Sequence, residues 1–260
     1  MSRLTFTALA VSALLVGSAS AADMSMKAAP VAAPASAAAF SWTGAYVGGS
    51  AGYAWGWSKV TDQNGYNSLG SSFSYHPDGG IFGLHAGYNL QYDMFVVGAE
   101  AELGWLGLDG GAQYPAYVGT RSADDSRASI RTDFYTALTA RVGVTPMDLL
   151  LVYGKGGVAF ANLKTSFIDP DPIGTTLVSG TSRTTFKAGW TVGGGLEYAL
   201  ADNWVARVEY DHYDFGKQSH TATSAGGGSF GFEHAVRADV VRVGVSYLFG
   251  GPAPAVFAKY

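Results

Sequence analysis

Several residues have types and spacings that could do chemistry. Gly154-Lys155-Gly156-Gly157-Val158-Ala159 spells G-x-G-x-x-A, with Asp169 and Asp171 downstream. A dinucleotide fingerprint of this kind needs a helix after it, so that the phosphates meet the helix N-terminus. No helical periodicity follows residue 159, so these glycines read as strand residues. Asp169-Pro170-Asp171-Pro172-Ile173-Gly174 has the acidic spacing of half a calcium loop. Its third oxygen ligand is missing, and Gly180 stands where the closing Glu belongs, so it reads as a turn-rich loop. The histidines at 76, 85, 212, 220 and 234 show no metal-ligand spacing. No metal or cofactor is expected. His212, close to Asp211, Asp214 and Ser219, is the best candidate for the acid–base centre of a lipid-modifying enzyme. In an extended strand, however, Asp211 points away from His212. His212 reads as a rim histidine, and no catalytic residue is assigned.

The most regular ionisable residues are ten that occupy alternate positions within apolar stretches: Glu100, Glu102, Arg141, Lys155, Lys187, Glu197, Arg207, Glu209, Asp211 and Arg242. Five are acids and five are bases. Period-two spacing places them on one side of extended strands. Eight such strands can be drawn: 45–57, 82–92, 95–105, 134–144, 150–160, 186–198, 204–212 and 241–249. Their opposite faces, such as Phe95, Val97, Ala99, Ala101, Leu103 and Trp105, carry no Asp, Glu, Lys or Arg.

A soluble sandwich or barrel buries its apolar faces and shows its charged ones to water. Here the charge-balanced, glycine-rich face suits the narrow side of a curved sheet. The face of Leu, Val, Phe and Trp is then the wide one and turns outward, toward lipid. Strands in hydrocarbon must close into a barrel, because every backbone N–H and C=O needs a partner. The fold class is therefore an all-β, eight-stranded antiparallel up-and-down transmembrane β-barrel. Its interior is just wide enough for side chains to fill, so the inward charges predict a salt-bridged plug in preference to an aqueous pore.

Composition agrees. The 260 residues include 36 glycines and no cysteine, with 13% aromatic and 14% charged residues, against about 25% charged in ordinary soluble domains. A net charge of −4 without any basic cluster argues against a nucleic-acid partner. The absence of cysteine excludes disulfide scaffolds and thiolate metal sites.

The connections alternate in length. Gln91–Met94, Thr145–Asp148 and Ala201–Asn203 are tight turns, whereas 59–80, 107–131, 164–184 and 215–236 are long. Short periplasmic turns and four long extracellular loops are the outer-membrane pattern, which places both termini in the periplasm. Aromatics mark both rims. Trp55, Trp57, Phe82, Trp105, Phe134, Phe160, Phe186 and Tyr210 fall at the loop end; Tyr88, Tyr92, Phe95, Tyr198, Trp204, Tyr247 and Phe249 fall at the turn end. Residues 1–21 read as a secretory signal peptide, with Arg3, an apolar run and a small-residue site ending at Ala21. Residues 22–41 form a flexible Ala/Pro leader, 42–249 the barrel and 250–260 a C-terminal extension.

Trp-Thr-Gly-Ala-Tyr-Val-Gly-Gly (42–49), Tyr-Gly-Lys-Gly-Gly-Val-Ala (153–159), Gly-Gly-Gly-Leu-Glu-Tyr (193–198), Val-Glu-Tyr-Asp-His-Tyr-Asp-Phe-Gly (208–216) and Val-Arg-Val-Gly-Val-Ser-Tyr-Leu-Phe (241–249) resemble the small OmpA-like outer-membrane β-barrel proteins of alphaproteobacteria, often labelled porin-like or surface antigen. The resemblance implies insertion into the outer membrane by the barrel assembly machinery, contact with outer-membrane lipids and lipopolysaccharide, and a mainly structural or surface role. The alternatives are a small-solute porin and a lipid-modifying barrel enzyme. Nothing in the loops names a ligand. Barrels of this kind end on an aromatic read by the assembly machinery, yet this chain continues past Phe249 to Tyr260. Tyr247 and Phe249 close an alternating pattern and Tyr260 closes none, so Phe249 is the expected signal. Deleting residues 250–260 should then leave membrane insertion intact, read as a persisting fast-migrating band on unboiled gels; loss of that band would transfer the role to the extension.

Overall fold

The computed structural model describes residues 40–65, 69–113, 127–168, 183–201, 203–223 and 228–250. The expected signal peptide, nearly all of the leader and the extension beyond Gly250 lie outside the described residues. Ten strands form one sheet: β1 (Gly44–Asp62), β2 (Ser72–Tyr75), β3 (Asp78–Tyr92), β4 (Phe95–Leu106), β5 (Asp109–Gln113), β6 (Arg127–Met147), β7 (Leu150–Ile168), β8 (Arg183–Ala201), β9 (Trp204–Thr223) and β10 (Ser229–Leu248). Eight close a ring in the order β1-β10-β9-β8-β7-β6-β4-β3 and back to β1, every pairing antiparallel. Closure runs through Tyr46 opposite Leu248 on one side of β1 and Gly44 opposite Asn89 on the other. The short β2 and β5 are flaps that extend the sheet above β1 and β6.

The turn end is tight because the residues there allow it. Tyr92 faces Phe95 across Asp93-Met94, and Met147 faces Leu150 across Asp148-Leu149. Asp93 has φ 55°, a left-handed conformation that Asp tolerates better than most residues.

The strands run further toward the loop end than their apolar alternation indicates. Within regions 107–131, 164–184 and 215–236 the described residues include strand, since β5 spans Asp109–Gln113, β7 continues to Ile168, β9 to Thr223, and β10 begins at Ser229. A tilted bilayer-spanning strand needs about 9–11 residues, whereas β6 has 21 and β10 has 20. The physical reason is an exchange of polarity between the two faces. In β10, Glu233, Arg237 and Asp239 point outward while Phe232, Val236 and Val240 are buried inside. From Val241 onward the exterior is Val241, Val243 and Val245, and Arg242 and Ser246 are inside. The upper strands therefore form an ordinary water-facing barrel with an apolar core, built on a lower segment of the opposite polarity.

Two bulges lie in these upper strands. β6 shifts register between Thr132 and Tyr135, and β10 against β9 between Ala235 and Arg237. The second is absorbed at Gly216, whose φ of 66° suits glycine and whose N–H donates 2.7 Å to Asp214 Oδ1.

The narrow interior needs glycine where a side chain crosses it. A Cβ on Gly195 would lie 2.5 Å from Val208 O and 2.8 Å from the Tyr153 hydroxyl, whereas one on outward Gly154 would meet nothing closer than 3.8 Å. Gly195→Val should abolish the heat-resistant folded band on gels, while Gly154→Val should leave it in place.

Candidate functional site

The interior of the lower barrel holds nine charged side chains from six strands: Glu100 and Glu102 of β4, Arg141 of β6, Lys155 of β7, Glu197 of β8, and Arg207, Glu209 and Asp211 of β9 beside Arg242 of β10. None is more than 5% exposed. Lys155 is the centre. Its Nζ lies 2.7 Å from Glu102 Oε1, 2.8 Å from Glu209 Oε1, 3.3 Å from Glu100 Oε1 and 3.5 Å from Asp211 Oδ1. Arg242 donates through Nε to Glu209 Oε1 at 2.7 Å and through Nη2 to Glu102 and Asp211. On the turn side of Lys155, Arg207 joins Glu197 (Nε to Oε1, 2.9 Å) to Glu100 (Nη2 to Oε2, 2.7 Å). Arg141 donates 2.9 Å to the other oxygen of Glu197.

Four tyrosines complete the network. The Tyr46 hydroxyl donates 2.9 Å to Glu100 Oε2 and accepts 3.0 Å from Arg141. The Tyr153 hydroxyl donates 2.5 Å to Glu209 Oε2, and its ring lies 4.0 Å beneath the Arg141 guanidinium. Arg242 reaches the hydroxyls of Tyr135 and Tyr213 at 3.1 and 3.3 Å. An isolated buried charge is expensive, and it persists where partners and hydrogen bonds replace its water. Here each charged group meets several.

Both ends of this ionic layer are covered. Toward the loops lies an apolar cluster that includes Phe73, Leu108, Ile130, Leu163, Phe215, Phe232 and Val236. Toward the turns, Trp42 packs with Val96, Leu151, Tyr153 and Val205, and Phe40 stands edge-on to it at 5.1 Å. Trp42 is 1% exposed. Its backbone N–H donates 2.8 Å to Gln91 Oε1, and its indole N–H reaches Asp148 O at 3.2 Å. Between Trp42 and Glu197 remains a hole of about 10 Å³, lined also by Tyr46, Asn89 and Ser246, about the size that holds one water.

Lys187 stands apart from the network. It is half-exposed near the loop end, and its Nζ donates 3.0 Å to the backbone carbonyl of Lys217. The expected balance of five acids and five bases is therefore five acids and four bases inside. Strand alternation carries no information about height along the barrel axis, and so it groups Lys187 with residues that the fold sets apart from it. Glu100, Glu102 and Glu209 come close enough to share a metal ion. The Lys155 ammonium already lies among them, so the trio is occupied by a cation of the chain itself.

The outer surface carries the aromatic residues at both rims. Phe82 stacks on Trp105 at 5.2 Å and Phe160 on Phe186 at 5.6 Å, while Phe134 faces Trp105 across the β4–β6 pairing. Trp55, Trp57 and Tyr210 complete the loop-end set, with Trp57 half-buried under Arg237. At the turn end, Trp204 meets Tyr247 at 5.3 Å and Tyr247 meets Phe249 at 5.1 Å; Tyr88, Tyr92, Phe95 and Tyr198 are exposed around the same rim. His212 also points outward. Its partner is Asp239 across the strand pair, with Nδ1 2.8 Å from Oδ1, and neither Asp211 nor Asp214.

Sequence reading missed Trp42, the four tyrosines and the apolar upper core. The tyrosines fall on the same alternate positions as the charges, and that phase was the available signal for them. Trp42 precedes the first strand, where no periodicity speaks.

A closed ring, an uncharged outer belt and two aromatic rims define a transmembrane β-barrel of the outer-membrane type. The chain belongs to the family described as outer membrane protein beta-barrel domain, whose profile matches residues 9–249. It is 35% identical over 246 residues to the 31 kDa outer-membrane immunogenic protein of Brucella melitensis biotype 1, covering 92% of this chain and 97% of that one. It is 28% identical over 231 residues to the 25 kDa outer-membrane immunogenic protein of Brucella abortus biovar 1 (88% and 90% covered). It is also 28% identical over 209 residues to the 22 kDa outer membrane protein of Rhizobium leguminosarum bv. viciae (80% and 79% covered). This is an outer-membrane barrel of the OmpA-like group.

Removing one member of a buried charge set leaves its partners unpaired, at a cost of about 3–5 kcal/mol. Lys155→Met should therefore lower the thermal unfolding midpoint by roughly 10 °C, at about 2–4 °C per kcal/mol for a chain of this size. Lys187→Met should shift it little. Following the loss of the folded gel band with temperature measures both.

Proposed function

We propose that this protein is a structural and surface-display barrel of the outer membrane that conducts no steady solute flow and catalyses no reaction. One observation carries the reading: among the described residues, nine charged side chains fill the lower interior, none more than 5% exposed, and lie between two apolar layers. A diffusion pore needs a continuous wet path, and wide aqueous channels belong to barrels of 16–18 strands. The names of the Brucella relatives, outer-membrane immunogenic proteins, support exposure of such a barrel at the cell surface. In this reading the tight turns and both termini face the periplasm and the loop end faces outward. Lipopolysaccharide and phospholipid contact the outer belt, and the barrel assembly machinery inserts the chain.

Planar-bilayer recording of the purified protein should show no steady open channel, and liposomes carrying it should not swell in small sugars. Steady conductance would establish the porin reading instead. Orientation has its own test. The chain lacks cysteine and Ser229 is exposed at the loop end of β10, so Ser229→Cys should react with an impermeant maleimide on intact cells; labelling only after the outer membrane is broken would reverse the assignment.

A further inference from the structure

We propose that the ionic layer holds one bound proton, carried on Asp211 Oδ1 and shared with the carboxylate of Glu209. The proposal deepens the closed-interior reading and rests on it, because a layer open to water would simply ionise. Counting charges shows the need. Glu100, Glu102, Glu197, Glu209 and Asp211 face only Arg141, Lys155, Arg207 and Arg242, so the layer lacks one positive charge. Among the described residues, the remaining buried acids and histidines are Asp62, His234 and His85. Asp62 and His234 lie in the upper barrel, opposite Phe232 and Val60. His85 borders the layer opposite Glu102, but its Nε2 lies 2.7 Å from the neutral Ser246 hydroxyl. A buried charge without a partner is expensive, and an acid escapes that cost by keeping its proton.

The supply of hydrogen-bond donors identifies the acid. An ammonium has three N–H groups, yet Lys155 Nζ has four carboxylate oxygens within 3.5 Å. It donates to Glu102, Glu209 and Glu100 at 2.7, 2.8 and 3.3 Å. Asp211 Oδ1, the fourth, receives no hydrogen bond. That oxygen presses on Gly193 of β8, where any side chain would collide with it. Both oxygens of every glutamate in the layer, by contrast, have a cation or a donor. Glu100 Oε2 takes Arg207, Glu102 Oε2 lies 2.9 Å from Arg242, Glu197 sits between Arg207 and Arg141, and Glu209 Oε2 takes Tyr153. Asp211 Oδ2 accepts from Arg242. The Asp211 and Glu209 carboxyls are themselves within hydrogen-bond reach of each other. Two carboxylates can only accept, so that contact needs a proton on one of them.

The titratable and charged groups facing Asp211 are Glu100 and Glu102 of β4, Tyr135 of β6, Lys155 of β7, Glu209 and Tyr213 of β9 and Arg242 of β10, with His85 of β3 at the border. Gly193 of β8 and Gly52 of β1 add none. An unfolded Asp gives up its proton near pH 4, whereas the folded layer retains it. Above that pH the folded state binds more protons than the unfolded chain, so this site makes stability fall as pH rises.

The test uses the mature chain refolded into phosphatidylcholine vesicles. At neutral pH the infrared spectrum of wild type should contain the carbonyl stretch of a protonated carboxyl, and Asp211→Asn should lack it. In urea titrations followed by the folded gel band, Asp211→Asn should match or exceed wild type at mildly alkaline pH. Glu197→Gln, which strips a partner from Arg141 and Arg207, should unfold at lower urea. From about pH 5 upward, the folding equilibrium of wild type relative to Asp211→Asn should fall about tenfold per pH unit until the pair titrates, the signature of one retained proton. If Asp211→Asn does not fold, the wild-type spectrum decides alone. The proposal is overturned by a wild type without the stretch, by a stretch that persists in Asp211→Asn, or by Asp211→Asn losing as much stability as Glu197→Gln. A pH slope abolished by His85→Gln in place of Asp211→Asn would move the proton to the imidazole and overturn it too. Steady bilayer conductance would overturn the closed-interior reading together with it, whereas a silent barrel without the stretch overturns the proposal alone.

Discussion

Everything in this molecule depends on one requirement: no backbone group of the spanning sheet can be left without a hydrogen bond in hydrocarbon. The pairing of β1 with both β10 and β3 satisfies it. Once the ring is closed, each side chain has only two directions, and the two environments are opposite in every respect. Outside there is unlimited room and no water. Inside there is little room, and polar groups must satisfy one another. Glycine, tyrosine and the nine buried charges are answers to the second condition, while valine, leucine and the rim aromatics answer the first.

This explains why the interior is ionic where it lies within the membrane. Buried ion pairs are not a strong source of stability compared with well-packed apolar groups. They do, however, separate the inside from the outside. A strand that slipped by one residue would turn Glu100, Glu102, Arg207 and Glu209 into lipid and valines into the lumen, so the register has one tolerable solution. Above the membrane the same barrel holds Phe73, Ile130, Leu163 and Phe232 inside, as water-facing sheets do. The exchange at Val240 and Val241 marks the level at which one regime gives way to the other.

Most of the lower barrel was legible in the sequence because alternation is a direct image of that two-sided constraint. Strand number, the tight turns, the aromatic rims and the inward phase of Glu100, Arg141 and Arg242 all follow from it. What alternation cannot convey is height along the axis, and so it could not separate Lys187 from the network. The upper strands escaped for a related reason. Their polar outer face, with Glu233, Arg237 and Asp239, resembles a solvated loop unless the buried phase, Phe232 to Val240, is followed as well. The pairing of His212 with Asp239 depends on register between β9 and β10, which only the folded sheet supplies.

The closing contact has a consequence for how the chain is made. Tyr46 stands opposite Leu248, with nearly the whole sequence between them. Contacts this distant in the chain are slow to form, and until the last strand arrives β1 and β10 are both raw strand edges, open to pairing with any other chain. Trp42 belongs to the same late stage, because the cavity it fills takes shape only when β4, β7 and β9 stand around it. Its side chain works as the latch of a vessel that has to be rolled shut before it can be stoppered.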